Sequence, residues 1–150
     1  MRAVIQRVSE ASVKVHGAII GEINEGLLVL AAWENNDTLQ DLEWMANKIT
    51  NQRIFSDKDG KMNLSIKDVD GNILLVSQFT LYASTKKGNR PSFINSAKPD
   101  VAIPLYEQFK LILEKNLNKK IACGEFGADM KINLLNDGPV TITIDSKAKE

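Results

Sequence analysis

The chain has 150 residues, 43% hydrophobic and 25% charged, which suits one globular domain with a single good core and excludes the disordered and fibrous classes. Nineteen basic residues balance nineteen acidic ones, so the overall basic field of a non-specific nucleic-acid binder is absent and any contact with RNA has to be local. A single cysteine, Cys123, and a single histidine, His16, exclude an intramolecular disulfide and a Cys/His zinc site, and no metal or cofactor is expected.

The opening MRAVIQRV holds no apolar stretch of signal-peptide length, and the run from Gly26 to Trp33 is too short to cross a bilayer. The chain is therefore expected in the cytoplasm, away from membranes. Ala3, Ile5, Val13 and Val15 alternate with polar residues, Gly17 marks a turn, and Ile19-Ile20 precede the apolar run Leu27-Leu28-Val29-Leu30, a pattern of strand, hairpin and central strand. Leu39, Leu42, Met45, Ala46 and Ile49 recur at helical spacing behind a candidate cap, Asp37, with Gln40 three residues on, which predicts a helix from about Thr38 to Asn51.

Turn signals at Asp57-Lys58-Asp59-Gly60 and Asp70-Gly71 bracket a partly extended stretch, Met62 to Ile66. A strand is expected from Ile73 to Tyr82. Pro99-Asp100 then opens a second helix with Leu105, Phe109, Ile112 and Leu113 on one face, ending near Asn118. The remainder reads as strands over Ile121 to Phe126, Met130 to Leu135 and Val140 to Ile144, the last two joined by a hairpin turn at Asn136-Asp137-Gly138. The expected fold is α/β: one domain, 1–150, with about seven strands in mixed sheet layers and two main helices packed on one side.

Three segments are candidates for chemistry, and each has an ordinary structural reading beside the functional one. Ser77, Gln78 and Thr80 interrupt the apolar run Ile73 to Leu81, either because the strand leaves the core and bonds locally, or because its end bends and offers side-chain oxygens and backbone N–H groups to a reacting carbonyl. Asn136-Asp137-Gly138-Pro139 is either a plain hairpin turn or a Gly-Pro unit that, if cis, would aim two adjacent carbonyls in nearly one direction with no side chain before them. From Gly71 to Pro99 there is no acidic residue, while Lys86, Lys87, Arg90 and Lys98 are present, giving either a solvated loop or a contact for a nucleic-acid backbone. His16 reads as a strand-end surface residue and Cys123 as a small strand hydrophobe, so a Ser-His-Asp arrangement is not expected.

Ser77-Gln78-Phe79-Thr80-Leu81 and Asn136-Asp137-Gly138-Pro139-Val140-Thr141 together resemble the two signature motifs of the D-aminoacyl-tRNA deacylase family. The opening Met1 to Val8, Gly88-Asn89-Arg90-Pro91-Ser92-Phe93 and Phe126-Gly127-Ala128-Asp129-Met130 resemble the same family in the same order, so the likeness spans essentially the whole chain. It implies a homodimer in which a cis Gly138-Pro139 enters the partner subunit's active site, binds the substrate amino group and rejects an L side chain, a filter that works by exclusion. It implies substrates of D-aminoacyl-tRNA and of glycyl-tRNA, including glycine mischarged on tRNA-Ala. It implies that Arg7 braces the Gly-Pro segment, that Ser77, Gln78, Phe79 and Thr80 line the catalytic pocket, with the N–H groups of Phe79 and Thr80 near the ester carbonyl, and that Phe126 to Met130 shape the entrance for the terminal adenosine. Catalysis would be assisted by the 2′-hydroxyl of the terminal ribose, and Lys86, Lys87 and Arg90 would contact tRNA phosphates. A non-catalytic RNA-binding module and an esterase acting through Thr80 are the alternatives.

Overall fold

In the computed structural model, which describes residues 1–149, the two most apolar runs become parallel neighbours at the centre of the sheet. In chain order the elements are β1 (Arg2–Val15), β2 (Ala18–Ile23), β3 (Gly26–Ala32), α1 (Leu39–Asn51), β4 (Phe55–Ser56), β5 (Met62–Leu64), β6 (Asn72–Ser77), α2 (Pro99–Leu117), β7 (Ala122–Cys123) and β8 (Met130–Asp145). Six strands form the main sheet, ordered β2-β1-β3-β6-β7 with β8 paired to β1, and β4 and β5 form a small separate ribbon. β3, β6 and β7 run parallel, while β1 is antiparallel to β2, β3 and β8. The expected mixed α/β sheet with two helices on one side is what forms.

β3 and β6 are apolar at successive positions because both of their faces are covered. Leu27, Val29, Ala31, Ile73 and Leu75 face the helix-side core with Leu42, Met45, Ile49, Phe109 and Leu113, whereas Leu28, Leu74 and Val76 face a second core with Val8, Ala11, Val13 and Ile23. Each such buried Leu, Ile, Val, Met or Phe side chain contributes about 1.5–3 kcal/mol. β1 supplies both cores by changing face midway. Val8 pairs with Asn136 and Glu10 with Leu135, leaving Ser9 unpaired as a one-residue bulge that flips every later side chain to the other side. Ile5 therefore points to the helices and Ala11 and Val13 to the second core.

α1 starts one residue later than its sequence signals suggest. Thr38, not Asp37, is the cap: its N–H and hydroxyl both donate to the Asp41 carboxylate at 2.9 and 2.8 Å. Asp37 accepts the Met1 amino group and the Glu34 N–H instead, and a charged partner distant in sequence outweighs a local capping role. α2 begins with Pro99 as its first residue and stops at Asn118, whose φ of 54° is left-handed. Among the described residues no helix is long and apolar enough to cross a membrane.

Three other sequence expectations change. The strand expected over Ile73 to Tyr82 ends at Ser77, and Phe79–Tyr82 form a 3₁₀ turn, because past the end of β3 there is no further strand to pair with. Ile121 to Phe126 contains only the two-residue β7. Most consequential, Asn136-Asp137-Gly138 is not a hairpin turn. Both flanks of this segment pair with β1 in one direction, Thr141–Asp145 with Arg2–Gln6 and Met130–Asn136 with Val8–Val15, so Asp137–Val140 bulge out of one continuous strand opposite Arg7.

Candidate active site

Parallel strands end together, and the crevice beyond their carboxyl ends is where open α/β sheets accept ligands. Here that crevice is a cavity of about 610 Å³ bounded by Ala31–Trp33 at the end of β3, Val76–Phe79 at the end of β6, Lys98, Pro99 and Ala102 at the start of α2, and Phe126–Met130 before β8. Of the catalytic and substrate-binding residues expected from the sequence, Ser77, Gln78, Phe79, Phe126 and Met130 therefore converge, together with Lys98 of the basic patch. A larger groove of about 840 Å³ includes Ile142 and Ile144 from one face of β8 and Thr143 and Asp145 from the other, so it straddles the free edge of that strand and holds none of the predicted site residues.

The back of the cavity is aromatic and fixed. Trp33 meets Tyr106 edge-on at 5.8 Å between centroids, and Tyr106 meets Phe126 at 5.8 Å. Burial first, and then the neighbouring Cys123, pushes the Tyr106 hydroxyl far above the usual phenol range, so it serves as a neutral prop. Burial likewise pushes the Cys123 thiol up, away from thiolate chemistry.

The front of the cavity is polar backbone. Gln78 N–H donates to Ala31 O at 2.7 Å, the last rung of the β3–β6 ladder, and the chain then turns into the 3₁₀ segment. Phe79 and Thr80 open that segment, so their N–H groups have no acceptor within it. Phe79 is 56% exposed and packs edge-on against Phe93 at 5.0 Å. The Thr80 side chain is not part of the lining, and its hydroxyl accepts from Gln78 Nε2 at 2.6 Å.

Asp129 and Lys98 are the ionisable residues in the described lining. Lys131 donates to both Asp129 oxygens at 2.8 and 3.0 Å and holds that carboxylate below its ordinary range, which makes it a weak base. Among the described residues the cavity can thus offer N–H donors and aromatic walls to an ester, but no free imidazole or carboxylate to activate a nucleophile. His16 lies in the β1–β2 turn with a left-handed φ of 49°.

The basic loop hangs from the cavity rim. Ser84 and Ser92 exchange N–H···O bonds of 2.8 and 2.9 Å, closing a ring that carries Lys86, Lys87 and Arg90, all exposed, and the next residue, Phe93, is in the cavity wall. Lys98 adds a further cation at the start of α2. Sequence reasoning picked out neither Trp33 nor Phe93, Ser96 and Ala102 as lining residues, since only the shared end of β3 and β6 brings them together.

Arg7, Gly138 and Pro139 form a second centre outside this lining. Arg7, 8% exposed, donates from Nε to Asp137 O at 2.8 Å and from Nη1 to Ile54 O at 2.6 Å. Asn136 closes the base of the bulge: Val140 N–H donates to its Oδ1 at 2.9 Å, and its Nδ2 donates to Val140 O and Thr141 Oγ1 at 3.3 and 3.2 Å. Gly138 has φ of 143°, and a Cβ there would lie 2.8 Å from Val140 Cγ2 and 3.0 Å from Arg7 Nη2, so only glycine fits. The Gly138-Pro139 peptide bond is cis, and both residues are exposed.

The D-aminoacyl-tRNA deacylase of Flavobacterium johnsoniae is 61% identical over 150 residues, covering all of both chains, and that of Akkermansia muciniphila is 58% identical over the same span. A solved structure described as c-Myc DNA Unwinding Element Binding Protein superposes with a TM-score of 0.92 at 42% identity, covering 99% of this chain and 100% of that one. A probable eukaryotic D-amino acid tRNA deacylase shares the fold, with a TM-score of 0.82 at 17% identity over 95% of this chain and 97% of that one. The D-Tyr-tRNA(Tyr) deacylase family model matches residues 4–145, so the chain belongs to that family and is a hydrolase.

Proposed function

We propose that this chain hydrolyses the ester linking a D-amino acid, or glycine, to the 3′ end of tRNA, and that it does so as a homodimer. The observation that carries the reading is a cavity lined by the Ser77–Phe79 strand end and Lys98, with the unbonded N–H of Thr80 next in the chain and the loop bearing Lys86, Lys87 and Arg90 attached through the lining residue Phe93. The N–H groups of Phe79 and Thr80 receive the negative charge that develops on the ester carbonyl, a placement of donors that is commonly worth about 3–4 kcal/mol. Phe126 and Met130 border the terminal adenosine, and the loop cations meet tRNA phosphates.

Selection of the D form is assigned to Gly138 and Pro139 of a second copy. Support comes from their exposure and from their absence from the described lining of their own chain's cavity, while Arg7 and Asn136 hold them rigidly outward. β8 also keeps a free edge with Leu134 and Leu135 37% and 58% exposed, a surface suited to a partner. In the assembled site the bulge carbonyls hold the substrate amino group and leave no space for an L side chain, and glycine, having none, passes. With Asp129 tied to Lys131 and no free base in the lining, the 2′-hydroxyl of the terminal ribose supplies the assisting group, and the protein contributes chiefly position.

The test is to incubate the purified protein with D-tyrosyl-tRNA, L-tyrosyl-tRNA and glycyl-tRNA. Hydrolysis of the first and third and survival of the second is expected, and equal cleavage of both enantiomers rejects the filter. A D-tyrosyl-tRNA ending in 2′-deoxyadenosine should resist hydrolysis, whereas Thr80→Ala should retain most activity. The name borne by the 42% identical solved structure favours one second reading, nucleic-acid binding without turnover, which would give retention of RNA with all three esters intact.

A further inference from the structure

We infer that Gly124 is a positioning residue for substrate binding: by carrying no side chain it provides the seat in which the Met130 thioether rests, and so sets the width of the cavity on that side. Gly124 follows β7 and is held from two directions, its N–H donating to Leu75 O at 2.9 Å and its carbonyl accepting from the Tyr106 hydroxyl at 3.4 Å. A Cβ built on it would lie 2.5 Å from Met130 Sδ, and 3.7 Å from both Met130 Cε and Val76 Cγ2. The sulfur thus occupies the space that any other residue at 124 would need. Met130 and Val76 both line the cavity, so what happens at this seat is transmitted to the cavity wall.

The chemistry of the two partners decides which one yields. The Gly124 backbone is fixed by its two hydrogen bonds, and Val76 Cγ2 is already at ordinary contact distance. Methionine has three rotatable bonds and a thioether at the far end. Adding one methyl group at 124 therefore displaces the thioether, and because Met130 is itself a lining residue the displacement alters the cavity wall. The stability cost is small for the same reason. Gly124 has no left-handed φ, so alanine fits its backbone.

This inference rests on the proposed function for its kinetic form, under which Met130 borders the adenosine common to every substrate. Gly124→Ala should then raise KM by about tenfold, the low end of what one methylene-sized change in a pocket produces, and by the same factor for D-tyrosyl-tRNA and glycyl-tRNA, with kcat held within about twofold. Removing the displaced group should cancel the effect: in a Met130→Ala background, Gly124→Ala should leave KM where Met130→Ala alone puts it. A Gly124→Ala effect of equal size in both backgrounds, an unchanged KM, or a loss confined to kcat would overturn the inference. So would failure of Gly124→Ala to fold, since the thioether and not the backbone is required to move.

A second readout separates this inference from the functional reading. The affinity of all four proteins for a non-hydrolysable amide analogue of 3′-D-tyrosyl-adenosine, measured by calorimetry, should show the same tenfold loss and the same cancellation. If the wild type binds the analogue but cleaves no aminoacyl-tRNA, the functional reading falls and the role of Gly124 is judged on the analogue alone. If the wild type does not bind the analogue, both fall.

Discussion

The two centres of this molecule are built from opposite materials. The cavity arises where apolar strands stop, at Ala31–Trp33 and Ser77–Phe79, and its shape is held by packing of Trp33, Tyr106 and Phe126 and by the two hydrophobic cores beneath it. The β8 bulge at Asp137–Val140 projects outward and is tied by hydrogen bonds from Arg7 and Asn136, with Val140 alone packed against the helix-side core. A packed site resists loss of one contact because many others remain. A site hung on a few polar side chains depends on each of them, since losing one leaves a part-buried backbone group without its partner.

The largest effect should therefore come from Arg7. Arg7→Lys keeps the charge but cannot reach Asp137 O and Ile54 O from a planar fork, and about 2–4 kcal/mol should be lost for the two orphaned carbonyls, with melting falling by about 3 °C for each kcal/mol. Under the proposed function, kcat/KM for D-tyrosyl-tRNA should drop about a hundredfold as the bulge loses its aim. Retention of wild-type melting and turnover would show that the bulge does not depend on Arg7.

Gly138→Ala should come next. The φ of 143° and the crowding by Val140 and Arg7 make a strained alanine, costing about 1–3 kcal/mol, and under the proposed function discrimination against L-tyrosyl-tRNA should weaken. Asn136→Asp offers a finer cut. It keeps the acceptor for Val140 N–H but loses the amide donor to Val140 O and Thr141 Oγ1, and chemical denaturation should register about 1–2 kcal/mol. Equal stability of the three proteins would mean that the bulge is held by packing after all.

A pH scan distinguishes the polar anchors from the packed core. Burial opposes ionisation of Asp41, but Lys147 at 2.7 Å and the Thr38 donors outweigh it and hold the carboxyl well below its ordinary 3.8. A lowered value in the folded state contributes stability that is full above 3.8 and disappears as pH falls toward the folded value. Wild-type protein should thus lose stability below about pH 4, and Asp41→Asn should lose about 1–2 kcal/mol at neutral pH while flattening that acid slope.

The smallest effect on the fold should come from replacing Lys86, Lys87 and Arg90 together with alanine. These exposed cations bear no structural load, so melting should stay within about 2 °C, since surface changes are typically within about 0.5 kcal/mol. Affinity for tRNA, in contrast, should fall and become less dependent on salt. An unaltered salt slope would place the tRNA contact elsewhere.

Much was legible in the chain alone. The unbroken apolar runs of β3 and β6 announce strands covered on both sides, the helical spacing of Leu42, Met45 and Ile49 marks α1, and the polar residues Ser77 and Gln78 at the close of an apolar run mark where a strand meets a cavity. These are local signals, because propensity, periodicity and turn chemistry act over a few residues. Asp-Gly at 137–138 is an equally good local signal for a hairpin, and it misleads. Tertiary pairing decides otherwise: β1 is 14 residues long and offers one continuous antiparallel partner to both flanks, so the segment bulges, and Asn136 and Arg7 bond the backbone groups that a hairpin would have paired. The same holds for Trp33, Phe93 and Ala102, which come together at the cavity beyond the shared end of the parallel strands, a relation between distant residues that no short window of sequence contains.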